Sequence, residues 1–309
     1  FFDGATGQQF SSGPLSEEIP VFGANATKAS KNKGAFVAVG NVNGFGFPEI
    51  VVGSSLITAS VGGGTVQVYS LDEEKDELTK VKEFTPFGAK FKGGVRVAVA
   101  DVDLFGNDND RMSVQPAQVS RLEDDIIVGQ GYHGATVKVY KGTVIGSTAG
   151  QEETSPFKLG EFKVGTKNFK GGVSVAAADV DGDGHADILV GRNTGKPSVV
   201  ELFDGASIRP AITPMQIGLT LNPFDTDPKH PKTTSGVRVA LGDVNGDGVA
   251  DIIASVGIKK NSLVKFYDGK EFRDGNIVEI TDPNRPITVY QEFLDVALWV
   301  AASRLSIEK

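Results

Sequence analysis

The residues best suited to chemistry in this chain are the nine of DVDGDGHAD, 179–187. Carboxylates stand at loop positions 1, 3, 5 and 9, as Asp179, Asp181, Asp183 and Asp187. They converge on one point only where the backbone winds tightly, and Gly182 and Gly184 permit the dihedrals that such winding needs. An oxygen-only ligand set, with no cysteine and with His185 where only its backbone carbonyl would bind, describes a cage for a hard cation. That chemistry favours Ca²⁺ over Zn²⁺ or copper. The EF-hand is the nearest rival, but its loop is longer, ends in Glu and joins two helices. Here the flanks, residues 173–178 and 188–190, are short runs rich in Val, Ala and Ile, and they read as strands.

The pattern recurs. DVNGDGVAD, residues 243–251, has the same spacing and again lies between apolar runs. A third copy opens with Asp101 and Asp103, is lengthened by sixteen polar residues, and resumes at Asp125 ahead of Ile126, Ile127 and Val128. NVNGFGFPE, residues 41–49, is a worn fourth copy followed by IVVG. Loop starts at 41, 101, 179 and 243 lie 60, 78 and 64 residues apart, and removing the insertion brings the middle interval to 62. A unit of about sixty residues therefore repeats along the chain.

Each unit must supply the strands that present its loop. Unit one, about 34–87, offers an alternating strand at Phe36 and Ala38, then strands at 50–53, 66–69 and 78–84. Unit two, about 91–164, has its third strand at 137–140 and a surface insertion at 104–123 that could also meet a partner. Unit three, about 169–224, has its third strand at 199–203 and closes on NPF, matching TPF at 85–87. Unit four, about 236–282, has outer strands at 263–267 and 277–280. Four strands in sixty residues make an up-and-down sheet.

The ends of the chain are partial units. FFDGATGQQF at the start resembles LFDGASI near Phe203 and FYDGKEF near Phe266, so the chain begins within a repeat, with residues 16–22 as an outermost strand. With neither an initiator Met nor a signal peptide in view, a processed or excised form is expected. Phe91 and Phe169 each stand ten residues before a loop Asp, and Phe293 stands ten before Ser303. LWVAAS, 298–303, is thus expected as the first strand of a fifth unit whose loop is lost, and the rival is an amphipathic helix over 291–305.

FKGGVSVAAADVDGDGHADILVG and TSGVRVALGDVNGDGVADIIASVG resemble FG-GAP/VCBS repeats, the family that includes the blades of integrin α-subunit propellers and many bacterial exported proteins. The resemblance spans nearly the whole chain and is strongest in units three and four. It implies an all-β fold, a β-propeller of four-stranded blades with Ca²⁺ in loops between the first two strands. Five registers make five blades in one domain over 1–309, the fifth assembled from 292–309 together with 1–23. The implied ligands are Asp179, Asp181, Asp183 and Asp187 with the carbonyl of His185, then Asp243, Asn245, Asp247 and Asp251 with the carbonyl of Val249. In unit two Asp101, Asp103 and Asp125 match, and Asn107, Asp108 or Asp110 would complete the set. Phe45 occupies the central ligand position of unit one and argues against an ion there. The expectation is two Ca²⁺ sites, with a third open in unit two.

A propeller also satisfies elementary packing. A four-stranded sheet buries neither face alone, and stacking successive sheets around an axis buries both while leaving short edges. The small residues of VAVAD, VAAAD and VALGD allow close approach near the centre. One difficulty stands out: only six residues follow Ser303, too few for the remaining strands of a fifth blade.

Composition bounds the function. The 309 residues would make roughly two or three ordinary domains, but a repeat fold can spend them on one closed body. Gly at 39 residues and 39% hydrophobic content suit short strands joined by turns. No apolar run is long enough for a membrane span, and the absence of Cys excludes a disulfide framework. Three bound Ca²⁺ would take the net charge from −8 to −2, so the acidity is largely ligand charge. No basic stripe points to nucleic acid.

Other residues read more simply. His133 in GYHGA is a turn residue, His230 between Pro228 and Pro231 is loop, and Trp299 is core. Gly62 to Gly64 lacks the Lys and Ser or Thr of a phosphate loop. No Ser-His-Asp or Cys-His set is visible. The expected function is a non-catalytic, calcium-stabilised module, secreted, at the cell surface or in the periplasm, that binds a protein or glycan partner or serves as a subunit of a larger assembly. Its ions would be structural staples. The alternative is a hydrolase or lyase using the central funnel, and a sugar-binding lectin stands third, short of aromatic platforms with five Tyr and one Trp.

Overall fold

The computed structural model describes residues 21–22, 34–44, 47–55, 64–72, 77–104, 123–148, 152, 157–194, 198–224, 236–258 and 261–281. The first strands of the repeating units are β1 Ala35–Gly40, β5 Val95–Ala100, β9 Val173–Ala178 and β13 Arg238–Gly242. An acidic loop leads from each to a second strand, β2 Glu49–Ser54, β6 Asp125–Gln130, β10 Asp187–Arg192 and β14 Asp251–Ile258. Third strands are β3 Val66–Asp72, β7 Thr136–Tyr140, β11 Val200–Phe203 and β15 Asn261–Tyr267. The fourth strands are β4 Glu77–Phe84, β8 Lys158–Lys163 and β12 Gln216–Leu221. Every pairing is antiparallel between sequence neighbours, giving three four-stranded sheets and one of three strands. The fold is all-β and propeller-like, in the order that the repeat spacing predicts.

Burial explains the residue choice strand by strand. Second strands are buried along nearly their whole length, as in EIVVGS and DIIVGQ: β6 and β10 lie between two sheets, while β2 has the second sheet on one face and Val21 and Phe22 on the other. On β6, Ile126 and Val128 join the core shared with the first sheet, while Ile127 joins the core shared with the third. Fourth strands alternate between buried and exposed, as in β8, because one face meets water. The apolar core is thus a series of layers between sheets: first with second, second with third, third with fourth.

Two contacts fix how one sheet seats on the next. In register terms Phe36 opposes Gly53, Arg96 opposes Gly129, Ser174 opposes Gly191 and Arg238 opposes Ser255. A Cβ on Gly53 would stand 2.8 Å from the Val95 carbonyl oxygen, and one on Gly191 would stand 2.8 Å from that of Val237. The glycines therefore let the first strand of the following sheet approach. Farther out, Phe84 of β4 meets Tyr140 of β7 edge-on at 5.2 Å, and Phe162 of β8 meets Phe203 of β11 at 4.8 Å. The TPF and NPF turns acquire a role here, since the Pro86 and Pro223 carbonyls accept the hydroxyls of Tyr140 and Tyr267.

Unit four departs from expectation. Residues 277–280 do not form an outer strand but only an isolated bridge between Tyr267 and Glu279, with backbone bonds from Asp268 N to Val278 O and from Ile280 N to Phe266 O. The bridge follows a short helix α1 Gly269–Arg273, and the described residues end at 281, two residues beyond it. At the other end, Val21 and Phe22 form a turn rather than the end of a strand. They pack on the outer face of the first sheet with Ile50, Val52 and Tyr69, and the Phe22 N–H donates to Gln67 Oε1. The fifth-unit strand, its helical rival over 291–305, the insertion residues 105–122 and the remainder of 1–23 lie outside the described residues.

The glycine contacts yield a test. Gly191→Ala places its Cβ 2.7 Å from Ser174 Oγ as well as against the Val237 carbonyl. It is expected to destabilise by about 1–3 kcal/mol through overpacking, read as a lower urea midpoint, whereas Gly246→Ala has open space and loses stability only through its positive φ of 81°.

Candidate metal centres

The loop of unit three is held by its own backbone. Gly182 N–H donates to Asp179 Oδ1 at 2.7 Å and Gly184 N–H to Asp179 Oδ2 at 3.0 Å, while Asp183 N–H donates to Asp181 Oδ1 and His185 N–H to Asp183 Oδ1. Gly182 and Gly184 have φ of 81° and 94°, left-handed conformations that L side chains resist, so the repeated glycines follow from the winding. Asp187, fully buried at the head of β10, accepts Val180 N–H at 2.9 Å and Asp181 N–H at 3.3 Å on Oδ2, and Gly205 N–H at 3.0 Å on Oδ1.

Unit four builds the same scaffold bond for bond. Gly246 and Gly248 donate to Asp243, Asp247 N–H to Asn245 Oδ1, Val249 N–H to Asp247 Oδ1, and Val244, Asn245 and Gly269 N–H groups to Asp251. In unit two Asp125 accepts Val102 and Asp103 N–H, and in unit one Glu49 accepts Val42 and Asn43 N–H. The ninth-position acid is buried in all four units, Glu49, Asp125, Asp187 and Asp251 each at 0–1% exposure.

The side chains gather unequally. Asp179, Asp181 and Asp187 each offer an oxygen within 4.8 Å of the others, and so do Asp101, Asp103 and Asp125. Asp183 joins a different group, with Asp181 and Asp204. Asp204 was not among the ligands expected from the loop motif, although its FDG signal was visible in FFDGATG, LFDGASI and FYDGKEF. Asp243, Asp247 and Asp251 do not meet within that span. There the Asn245 Nδ2 group lies between Asp247 Oδ2 at 3.3 Å and Asp268 Oδ2 at 3.2 Å, a neutral donor where unit three has Asp181. In unit one the Glu49 carboxylate is taken up by Ser70 Oγ at 3.1 Å and by Asn43 Nδ2, and Phe45 lies outside the described residues.

The donor set fits a hard cation. It is made of carboxylate oxygens with no sulfur, and each Asp179 oxygen that accepts one N–H retains a lone pair for an ion. His185 enters by a different route as well: its Nδ1–H donates to the Val102 carbonyl at 2.7 Å, and Ala186 N–H donates to Asp101 O at 2.8 Å, so loop three rests on loop two. Asp124 and Asn41 tie loop two to loop one in the same way, with Asn41 N–H on Asp124 Oδ2 at 2.7 Å.

Residues 171–200, which hold β9, the loop, all of β10 and the first residue of β11, match the family model of the FG-GAP repeat. No curated protein sequence matches the chain. Sheets built in this order around acidic loops define a repeat protein of the propeller-like class, and the match identifies an FG-GAP repeat within its third unit.

Burial favours the neutral form of the ninth-position acids. Burial pushes Asp187 up to about 7 against the opposing hydrogen bonds from Gly205 and Val180, and burial likewise raises Asp125, Asp251 and Glu49. Asp101 is pushed up to about 6, again chiefly by burial. An acid whose folded pKa exceeds its unfolded value stabilises below the unfolded pKa and loses that contribution as pH rises through the folded one. In chelator, therefore, the melting temperature is expected to fall between about pH 4 and about pH 7, the window set by Asp187. Saturating Ca²⁺ is expected to flatten or invert that slope, measured by calorimetry across the same range.

Proposed function

We propose that this chain is a calcium-stabilised propeller module of the integrin type, non-catalytic, which acts outside the cell or at its surface in adhesion or assembly. The observation that carries the proposal is the duplicated scaffold of loops three and four, where seven backbone N–H groups orient the same acids in the same way. Ca²⁺ would be held in unit three by Asp179, Asp181, Asp183 and Asp187 with the His185 carbonyl, Asp204 adding negative charge at the rim. In unit four Asp243, Asn245, Asp247 and Asp251 with the Val249 carbonyl would hold a second ion. The ions neutralise carboxylates that repel one another when bare, and by binding only the folded loops they stabilise the fold.

Closure by a fifth blade is part of this reading, and two features support it. Val37 of β1 is 61% exposed, while its register equivalents Val97, Val175 and Val239, each packed between sheets, are 5–9% exposed. At the opposite end of the series, Ser255 stands where the earlier sheets have a glycine against the next sheet's carbonyl. Its buried Oγ has no hydrogen-bond partner among the described residues. A protein or glycan partner, or neighbouring subunits in an assembly, is the partner that this reading assigns to the module. No helix among the described residues is long and apolar enough to cross a membrane.

Calcium dependence tests the proposal. At a hundredfold excess over Kd each site adds about 2.7 kcal/mol, and a domain of this size gains roughly 2–4 °C per kcal/mol. Two sites should raise the melting temperature by about 10–20 °C over the chelated protein. Asp179→Asn is expected to remove about half of that gain, and an unchanged midpoint in chelator would overturn the structural-calcium reading.

A further inference from the structure

We infer that loop two already contains its cation, the ammonium group of Lys141, and that the residue at this register position sets whether a loop takes up a divalent ion. In every unit the residue after the ninth-position acid pairs with an aromatic on the third strand: Ile50 with Tyr69, Ile126 with Tyr140, Ile188 with Phe203, Ile252 with Tyr267. The next residue along is therefore equivalent in all four units, and it is Ser70, Lys141, Asp204 and Asp268 in turn.

In all four units this residue reaches the acidic loop. Ser70 Oγ donates to Glu49 Oε1 at 3.1 Å, Asp204 comes within 4.8 Å of Asp181 and Asp183, and Asp268 Oδ2 accepts from Asn245 Nδ2. Lys141 Nζ lies 2.5 Å from Asp103 Oδ2, and both side chains are largely enclosed, at 19% and 13% exposure. Its backbone is anchored too, because Lys141 N–H donates to Phe157 O at 2.8 Å. Asp103 is one of the three carboxylates that converge in this loop.

An ammonium ion at that distance satisfies the carboxylate that a metal would need as a ligand, and it repels any divalent ion brought to the same point. Loops three and four carry the opposite sign at this position, with Asp204 and Asp268 adding charge to sets that already repel. Asp204 and Asp268 also cap the turn that follows, accepting Ser207 N–H at 3.2 Å and Glu271 N–H at 2.9 Å, whereas the turn after Lys141 has no side-chain cap. The position thus couples the charge of the loop to the chain beyond the third strand, and loop two alone uses it to neutralise rather than to recruit.

The inference rests on the reading of units three and four as calcium loops, and equilibrium dialysis of the full chain against Ca²⁺ tells the two apart. The unaltered chain should bind two ions, the Asp179→Asn, Asp243→Asn double variant none, and that double variant with Lys141→Ser one. If the double variant retains an ion, or the triple variant binds none, Lys141 does not hold the place of a metal and the inference falls while the calcium reading stands. If the unaltered chain binds none, the calcium reading itself falls and takes the inference with it. Should the double variant not fold, Lys141→Ser alone decides: three ions against two supports the inference, and equal counts overturn it.

Discussion

At the head of every second strand a carboxylate is buried, and the surrounding structure is arranged to make that tolerable. Removing an ionised acid from water is costly unless hydrogen bonds and opposite charge replace the solvent. Glu49, Asp125, Asp187 and Asp251 each accept two consecutive N–H groups of their own loop. Those bonds bend the chain from the first strand into the second. In units three and four a third N–H, from Gly205 or Gly269, reaches the same acid from the turn that follows the third strand. In those two units one carboxylate thereby ties the loop, the second strand and the turn after the third strand at a single end of the sheet.

That end is also where the sheets meet. His185 and Ala186 bond to the backbone of loop two, and Asp124 and Asn41 bond loop two to loop one. Whatever neutralises one loop therefore acts on its neighbour as well as on its own sheet. The apolar layers between sheets supply area without direction, since Val, Ile and Ala packing is adaptable. The loops supply the register, because hydrogen bonds to a buried acid have one geometry. Ion binding at this position would stiffen an interface rather than open or close a site.

The four loops solve the same electrostatic problem differently. Unit one has lost most of its acids and spends hydrogen bonds from Asn43 and Ser70 on the survivor, Glu49. Unit two sets a lysine against its acids. Unit three gathers its carboxylates within reach of one another, whereas unit four sets Asp243, Asp247 and Asp251 on the same backbone scaffold farther apart, with Asn245 as a neutral donor among them. A repeat whose chemistry is graded along the chain retains its backbone while its ligands change, because the N–H donors belong to the winding and not to any particular side chain.

Much of this was legible in the residues themselves. Apolar runs of period two, glycine-rich turns and a sixty-residue recurrence are local signals, so the strands of the first three units and the position of every loop follow from them. The spacing of Asp179, Asp181, Asp183 and Asp187 likewise announces its own convergence, since nine residues bounded by strands have few ways to wind. The helix α1 between the third strand of unit four and its return at Glu279 has no counterpart in the periodicity, because five residues are too short a run to show one. Contacts made between separate strands were legible only in three dimensions. Asp204 lies far along the chain from Asp181 yet shares its loop, and Lys141 meets Asp103 only because an antiparallel pairing returns Tyr140 to Ile126. Sequence spacing determines which residues one loop can bring together; strand register determines which foreign charge is set against them, and that is a property of the folded sheet alone.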